Sequence, residues 1–182
     1  MLQPGFHLRY NGPNRTRRRI GVDNRDKQQS GNTLSIRFSL AQITREARIQ
    51  LIESSLSAYP HEACGVLTGS IREPLQGTSD GIVRVNAVHP IRNAAGEPLS
   101  TFSFDPHEWV RTMYRIQKNR QSLVGFYHSH PASPPLPSDA DLRGLQHGKA
   151  ASYWIVSLAE QTCPVISAFG VNGISLYPLM LA

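Results

Sequence analysis

Within fourteen residues this chain places His128-Ser129-His130-Pro131 and then Ser138-Asp139-Ala140-Asp141. Two imidazoles and a carboxylate with one open position make the ligand set of a catalytic zinc site. A metal held that way polarises a carbonyl and lowers the pKa of a bound water toward ~7. Hydrolysis at neutral pH then needs a base for the water proton and a donor for the developing oxyanion. Ser138 lies within loop reach and can supply the hydroxyl. Glu62, at the head of the small-residue run Glu62-Ala-Cys-Gly-Val-Leu-Thr-Gly69, is the candidate base. Rival readings stand beside this one. Asp139 could replace Asp141 as ligand, the histidines could be a surface pair, and Ser138 with Asp141 could be only a helix cap and a first-turn charge.

The neighbouring elements must position these groups. Leu123-Val-Gly-Phe-Tyr127 is an apolar run of strand length, so His128 and His130, two apart, point to one face at its end. Ser138 reads as the N-cap of a short helix carrying Leu142 and Leu145, with Asp141 in its first turn. Pro131, Pro134, Pro135 and Pro137 bend the connection and can return Asp141 to the imidazoles.

Elsewhere, Thr33–Phe38 alternates as a first strand, and Ser39 caps a helix predicted over about 40–58. Leu40, Ile43, Ala47 and Leu51 form its ridge, Ile52 and Leu56 widen it, and Tyr59-Pro60 ends it. The run from Glu62 to Gly69 is a strand packed closely against something. A turn-rich loop with Pro74 and Gly77 leads to a strand over Ile82–Val88. Phe102–Phe104 is a short strand. Asp105-Pro106-His107-Glu108 opens a second helix with Asp at the N-cap, Pro at N1 and Glu at N3, burying Trp109, Met113 and Ile116. Tyr153–Ser157 is a strand, and Val165–Gly170 with Ile174–Leu179 make a hairpin through Asn172-Gly173. Mixed strands and helices without a regular βαβ rhythm give an α+β class.

The 182 residues suffice for one domain with a full core. The net charge of +6 suggests nucleic acid until it is located. Residues 1–32 hold seven of the basic side chains and two of the acidic, which leaves 12 basic and 11 acidic for the rest. We read residues 1–32 as a basic, disordered leader, or a start site taken too early, in preference to a nucleic-acid arm, and 33–182 as the working domain. No run approaches the roughly 18 apolar residues of a membrane helix. Cys64 and Cys163 make no disulfide framework. Each is expected as a buried free thiol in a reducing, cytoplasmic setting, a single bridge being the alternative. His61-Glu62 does not continue into His-Glu-x-x-His, and the Pro-Cys-x-x-Cys of zinc deaminases is absent. Cys64 has no histidine pairing to make it a nucleophile, and His89, His107 and His147 read as surface or cap residues.

The spacing His128-x-His130, seven residues, Ser138, two residues, Asp141 resembles the metal motif of the JAMM (MPN-plus) metalloproteases. That family's upstream glutamate is matched by Glu62-Ala-Cys-Gly-Val-Leu-Thr-Gly, and Pro131 and Pro137 also match. The resemblance spans about residues 33–182. It implies a mixed, strongly curved sheet flanked by helices, the MPN or cytidine-deaminase-like core. It further implies one zinc ion per chain on His128, His130 and Asp141, Glu62 as general acid/base and Ser138 as oxyanion donor. Asp139 sits one residue off the family spacing. The implied activity is a zinc-dependent peptidase or isopeptidase cutting an amide bond at the C-terminal tail of a ubiquitin-like or sulfur-carrier protein. The tail would add as a strand beside an exposed edge. The short spans between the motifs resemble compact prokaryotic members, some of which release cysteine from a carrier. The alternative is a non-catalytic MPN module that binds such proteins or scaffolds an assembly, against which the complete five-residue set argues.

Overall fold

The computed structural model describes residues 37–72, 80–144, 150–173 and 175–182. The basic leader, the start of the expected first strand, the loop with Pro74 and Gly77, Leu145 and His147 lie outside the described residues. In chain order the elements are β1 (Arg37–Ile43), α1 (Arg45–Ala58), β2 (Cys64–Arg72), β3 (Asp80–Ile91), α2 (Pro106–Lys118) and β4 (Ser122–His130). They are followed by α3 (Asp139–Gly144), β5 (Ser152–Ser157), β6 (Val165–Asn172), β7 (Ser175–Pro178) and β8 (Met180–Leu181).

All eight strands join one mixed sheet, ordered β7-β6-β5-β4-β2-β3-β1-β8. Strands β7 and β8 stand at opposite ends of that order, yet only Leu179 separates them in the chain. The sheet must therefore curl until its ends meet. It does so: Leu179 N–H donates to the Ala168 carbonyl at 2.9 Å, Ala182 N–H to Ala41 at 2.9 Å, and Phe38 N–H to the Tyr177 hydroxyl at 2.9 Å. The result is the expected α+β fold with a mixed, strongly curved sheet, and the curl goes further than expected, nearly closing it into a barrel.

Residues 40–43 belong to β1 and not to the first helix. Leu40 and Ile43 have the helical spacing, but Leu40 to Ile43 pair in parallel with Ile82 to Val85 of β3. Ladder bonds and burial outweigh local pattern here. The cap is accordingly Thr44, whose hydroxyl accepts from Ala47 N–H at 3.2 Å, and Ser39 is exposed on the strand. Helix α1 buries Ala47, Leu51 and Ser55 on one side of the sheet, against a core containing Tyr127, Trp154 and Val156. Helix α2 starts as expected: Asp105 accepts from the N–H groups of His107 (3.0 Å) and Glu108 (2.9 Å). It buries Thr112 and Ile116 and packs Trp109 and Met113 on the other side, over Val66, Phe126, Tyr153 and Ile155. Phe102–Phe104 is not a strand; Phe104 makes only an isolated bridge to Asn93.

The close approach expected of the small-residue run is explained at Gly65. A Cβ there would meet the Tyr127 ring at 2.6 Å and press into the His89 carbonyl. Strand β4 lies between antiparallel β2 and parallel β5. The β2–β4 register shifts between Leu67 and Thr68. Beyond this irregularity Phe126 faces the α2 side and Tyr127 the α1 side, so 128 and 130 share the α2 side with 126. Both cysteines are free, but only Cys64 is buried. Cys163 is exposed, a correction to the sequence reading, because it lies at a turn closed by its own N–H on Glu160 O at 3.0 Å.

Candidate metal centre

His128 and His130 end strand β4, and Asp141 comes back to them from the first turn of α3. The imidazole Nε2 atoms are 2.8 Å apart, and Asp141 Oδ1 and Oδ2 lie 3.1 Å and 3.7 Å from those of His128 and His130. One ligand atom from each of the three residues lies within 4.8 Å of the others, and all three residues are buried. Ligands about 2.0–2.1 Å from a tetrahedral ion sit roughly 3.3 Å from one another, so the spacing fits a single small cation. Asp139 is exposed and is not part of the cluster.

Each side chain is aimed by a specific bond. His130 Nδ1–H donates to the Pro134 carbonyl at 2.8 Å, which fixes the ring and leaves Nε2 facing the cluster. The proline-rich loop bearing that carbonyl is held in turn by Ser157 Oγ, which donates to Ser133 O at 2.7 Å. Asp141 and Ser138 form a reciprocal cap: Ser138 N–H and Oγ–H donate to Oδ2 at 2.7 Å each, and Asp141 N–H returns to Ser138 Oγ at 3.2 Å. Oδ1 remains turned to His128 and takes the Tyr153 hydroxyl at 3.4 Å. Phe102 stacks on the His128 ring at 4.8 Å between centroids. His128 Nδ1 is buried without a hydrogen-bond partner among the described residues.

The electrostatics follow from burial and these contacts. Burial pushes the His128 pKa down against the pull of Asp141, so the ring stays neutral. Burial opposes His130 too, but its bonds to Asp141 and Pro134 win and raise its pKa. Burial also works against the Asp141 carboxylate, and the hydrogen bonds from the two histidines overcome it, holding it well below the usual carboxylate range. A divalent cation selects neutral nitrogen and ionised oxygen: His128 and Asp141 offer these states as they stand, and His130 does so on giving up the proton its neighbours favour.

Glu62 precedes β2 and is buried, 6% exposed. Its pKa is raised to about 7, first by burial; His130 lowers it and Asp141 raises it further. Ser138 is exposed at the mouth of the cluster. Cys64 is turned into bonding, its Sγ–H on the Ile91 carbonyl at 3.3 Å, and burial pushes the thiol up to about 12, so it is no nucleophile. His89 is half-buried and bonded to Thr68 Oγ1 at 2.9 Å, while His107 is exposed. An open cavity of about 390 Å³ lies on the Glu62 side, lined among others by Ser54, His61, Cys64, Asn93 and Tyr127. Glu62 lines it, and none of His128, His130 and Asp141 does.

Asn93 escapes a reading from sequence. Its Nδ2 donates to Glu62 O at 3.0 Å and to Thr101 O at 2.9 Å, and its Oδ1 accepts from Ala95 N–H (2.9 Å) and Ser103 N–H (3.1 Å). It thus braces the loop that carries Phe102 against the base of Glu62. A lone Asn among loop residues gives no local sign of this.

Curved sheet, three helices and this cluster together define the chain as a member of the prokaryotic JAB-domain family (JAMM/MPN), whose model, described as prokaryotic homologs of the JAB domain, matches residues 44–168. A desampylase from Haloferax volcanii is 39% identical over 108 residues, 59% of this chain and 71% of that protein. A desampylase from Pyrococcus furiosus is 32% identical over 98 residues, 54% of this chain and 61% of that protein. A probable TtuB-protein conjugate cleaving protease from Thermus thermophilus is 34% identical over 59 residues, covering 32% and 40% of the two chains. A solution structure from Desulfitobacterium hafniense superimposes with a TM-score of 0.65 at 31% identity over 79% of this chain and 92% of the other.

Proposed function

We propose that this chain is a zinc-dependent peptidase or isopeptidase, with one ion per chain, acting on the C-terminal tail of a ubiquitin-like or sulfur-carrier protein. The observation that carries the reading is the convergence of His128 Nε2, His130 Nε2 and the Asp141 carboxylate, with a buried Glu62 of raised pKa beside them. The relatives named for conjugate cleavage support the substrate class.

When bound, zinc supplies a Lewis acid for the scissile carbonyl and acidifies a water. His128, His130 and Asp141 would hold it, the rings through neutral nitrogen once His130 has released its proton and the carboxylate reducing the net charge. Glu62, buried beside the cluster, takes the proton of the attacking water and hands it to the departing amine. The Ser138 hydroxyl rests on Asp141 at 2.7 Å, and, turned outward, it donates to the oxygen that gathers charge. Two unpaired thiols suit a reducing, cytoplasmic setting. Described helices long and apolar enough to cross a membrane are absent.

The test is a fusion of a ubiquitin-like carrier ending in Gly-Gly to a reporter peptide, incubated with zinc-loaded protein and with Glu62→Gln. We expect cleavage after the terminal glycine by the first and none by the second, with zinc content near one equivalent in both. A protein that binds no zinc and cuts no carrier fusion overturns the reading. Carrier binding without cleavage would mark a non-catalytic module.

A further inference from the structure

We infer that Ser129, the residue between the two histidines, is a positioning residue that sets the separation between Glu62 and the metal ligands; the inference rests on the catalytic reading above. Its side chain lies on the face of β4 opposite the histidines, and it is fully buried. The last paired rung of the β2–β4 ladder is Cys64 with His128. Continued regularly, the antiparallel ladder would put Ala63 opposite Ser129 and Glu62 opposite His130, with Cα atoms about 5 Å apart.

The ladder is not continued regularly. Ser129 N–H donates to the Ala63 carbonyl at 2.9 Å, as a regular rung would. The return bond from Ala63 N–H goes to the Ser129 hydroxyl, at 2.8 Å, instead of a main-chain carbonyl. A side chain therefore makes the last rung, and the two strands part at Ala63, the residue next to Glu62. Glu62 N–H then bonds to Pro98 O at 2.7 Å, and Glu62 O accepts from Asn93 at 3.0 Å. The peptides on both sides of Glu62 are thus tied down, with Ser129 as the tie to the strand that carries the ligands. Because 128 and 130 flank it, any shift of the Ser129–Ala63 clasp moves the base relative to both imidazoles. A proton-transferring carboxylate tolerates little such error, since about 1 Å of misplacement can cost roughly 100-fold in rate.

The clasp also makes a chemical demand. Without the hydroxyl, Ala63 N–H is left unpaired in a buried place, and the segment must move to find another acceptor. Threonine keeps the oxygen and suits a strand; cysteine keeps the size but is a weak acceptor.

Ser129→Ala, Ser129→Thr and Ser129→Cys, loaded with zinc, are compared with the wild type for kcat, KM, bound zinc and amide exchange at Ala63. In the Ala and Cys variants we expect kcat to fall about 10–100-fold with KM within about twofold. Zinc should stay near one equivalent and Ala63 exchange should accelerate; the Thr variant should restore both kcat and protection. An unchanged kcat in Ser129→Ala, or a loss that merely follows loss of zinc, overturns the inference. If Thr does not fold, the Ala and Cys variants decide by the same criteria. Wild type without hydrolase activity would sink the proposed function, whereas slow Ala63 exchange in Ser129→Ala would sink the clasp independently.

Discussion

His130 gives its Nδ1 proton to the carbonyl oxygen of Pro134, 2.8 Å away, and this bond decides which nitrogen faces His128 and Asp141. The carbonyl belongs to a loop rich in proline, held by fixed φ angles, by Leu136 N–H on the same Pro134 oxygen at 2.8 Å and by Ser157 Oγ on Ser133 O at 2.7 Å. Loosening that loop should cost affinity without removing a ligand. Pro134→Gly is expected to weaken zinc binding about 10-fold, at the lower end for loss of ligand orientation, as read by chelator competition. Equal affinity in the two proteins would show that the ring holds its orientation unaided.

Asp141 serves both as prospective ligand and as partner in the α3 cap. Asp141→Asn should keep part of the cap, because an amide oxygen still accepts from Ser138 N–H, yet lose the charge that the two imidazoles face. Zinc affinity should fall by more than the roughly 10–100-fold typical of a lost supporting bond. Circular dichroism should change little. A variant that keeps full zinc affinity would exclude Asp141 from the ligand set.

Glu62 links pH to the stability of the metal-free protein. Its folded pKa of about 7 lies above its ordinary value of 4.5, so the folded state holds the extra proton between those values. The unfolding free energy therefore decreases as pH rises through that window, and above it the full cost of a buried charge remains. Glu62→Gln should stabilise metal-free protein at pH 8 by ~1–3 kcal/mol and have little effect near pH 4. Denaturant unfolding at both pH values would check this, and an equal effect at both would refute the linkage.

Metal removal should be visible thermally. A ligand at about 1,000 times its Kd adds roughly 4 kcal/mol to the folded state. For a domain of this size each kcal/mol moves Tm by about 2–4 °C. Chelation of zinc-loaded protein should then lower Tm by about 10 °C, and readdition of zinc should restore it. Calorimetry with and without chelator gives the answer, and an unmoved Tm would argue against a tightly held ion.

At Gly65 the limit is space. Gly65→Ala puts a methyl group against the Tyr127 ring, 2.6 Å from the added carbon, and against the backbone at His89. Overpacking of this kind costs about 1–3 kcal/mol. Because Gly65 is next to Cys64, paired to His128, the strain should also be felt at the cluster. Urea unfolding of the variant measures it.

The cluster could be read in the sequence because its cues are local. Period two aligned His128 with His130, a Ser-x-x-Asp cap placed Asp141, and a small-residue run flagged Glu62. The failures share a different cause. Leu40 and Ile43 fit a helical ridge, but β1 takes its structure from β3 and β8, whose partners lie far along the chain. No window of a dozen residues contains that information. Phe102 looked like a strand residue because aromatics favour strands; its ring instead covers His128. Ser129 could have been suspected, since a hydroxyl in a buried strand needs a partner. The partner, Ala63, is 66 positions away.

The joining of β7 and β8 through Leu179 has a kinetic consequence. Pairing Leu40 with Met180 closes a loop of nearly the whole domain, and its entropic cost is repaid only after β1–β3 and β5–β7 already exist as surfaces. Seam formation should therefore be a late folding event, absent from the transition state. Substitutions at Leu179, such as Leu179→Ala, would then speed unfolding while leaving the refolding rate nearly unchanged.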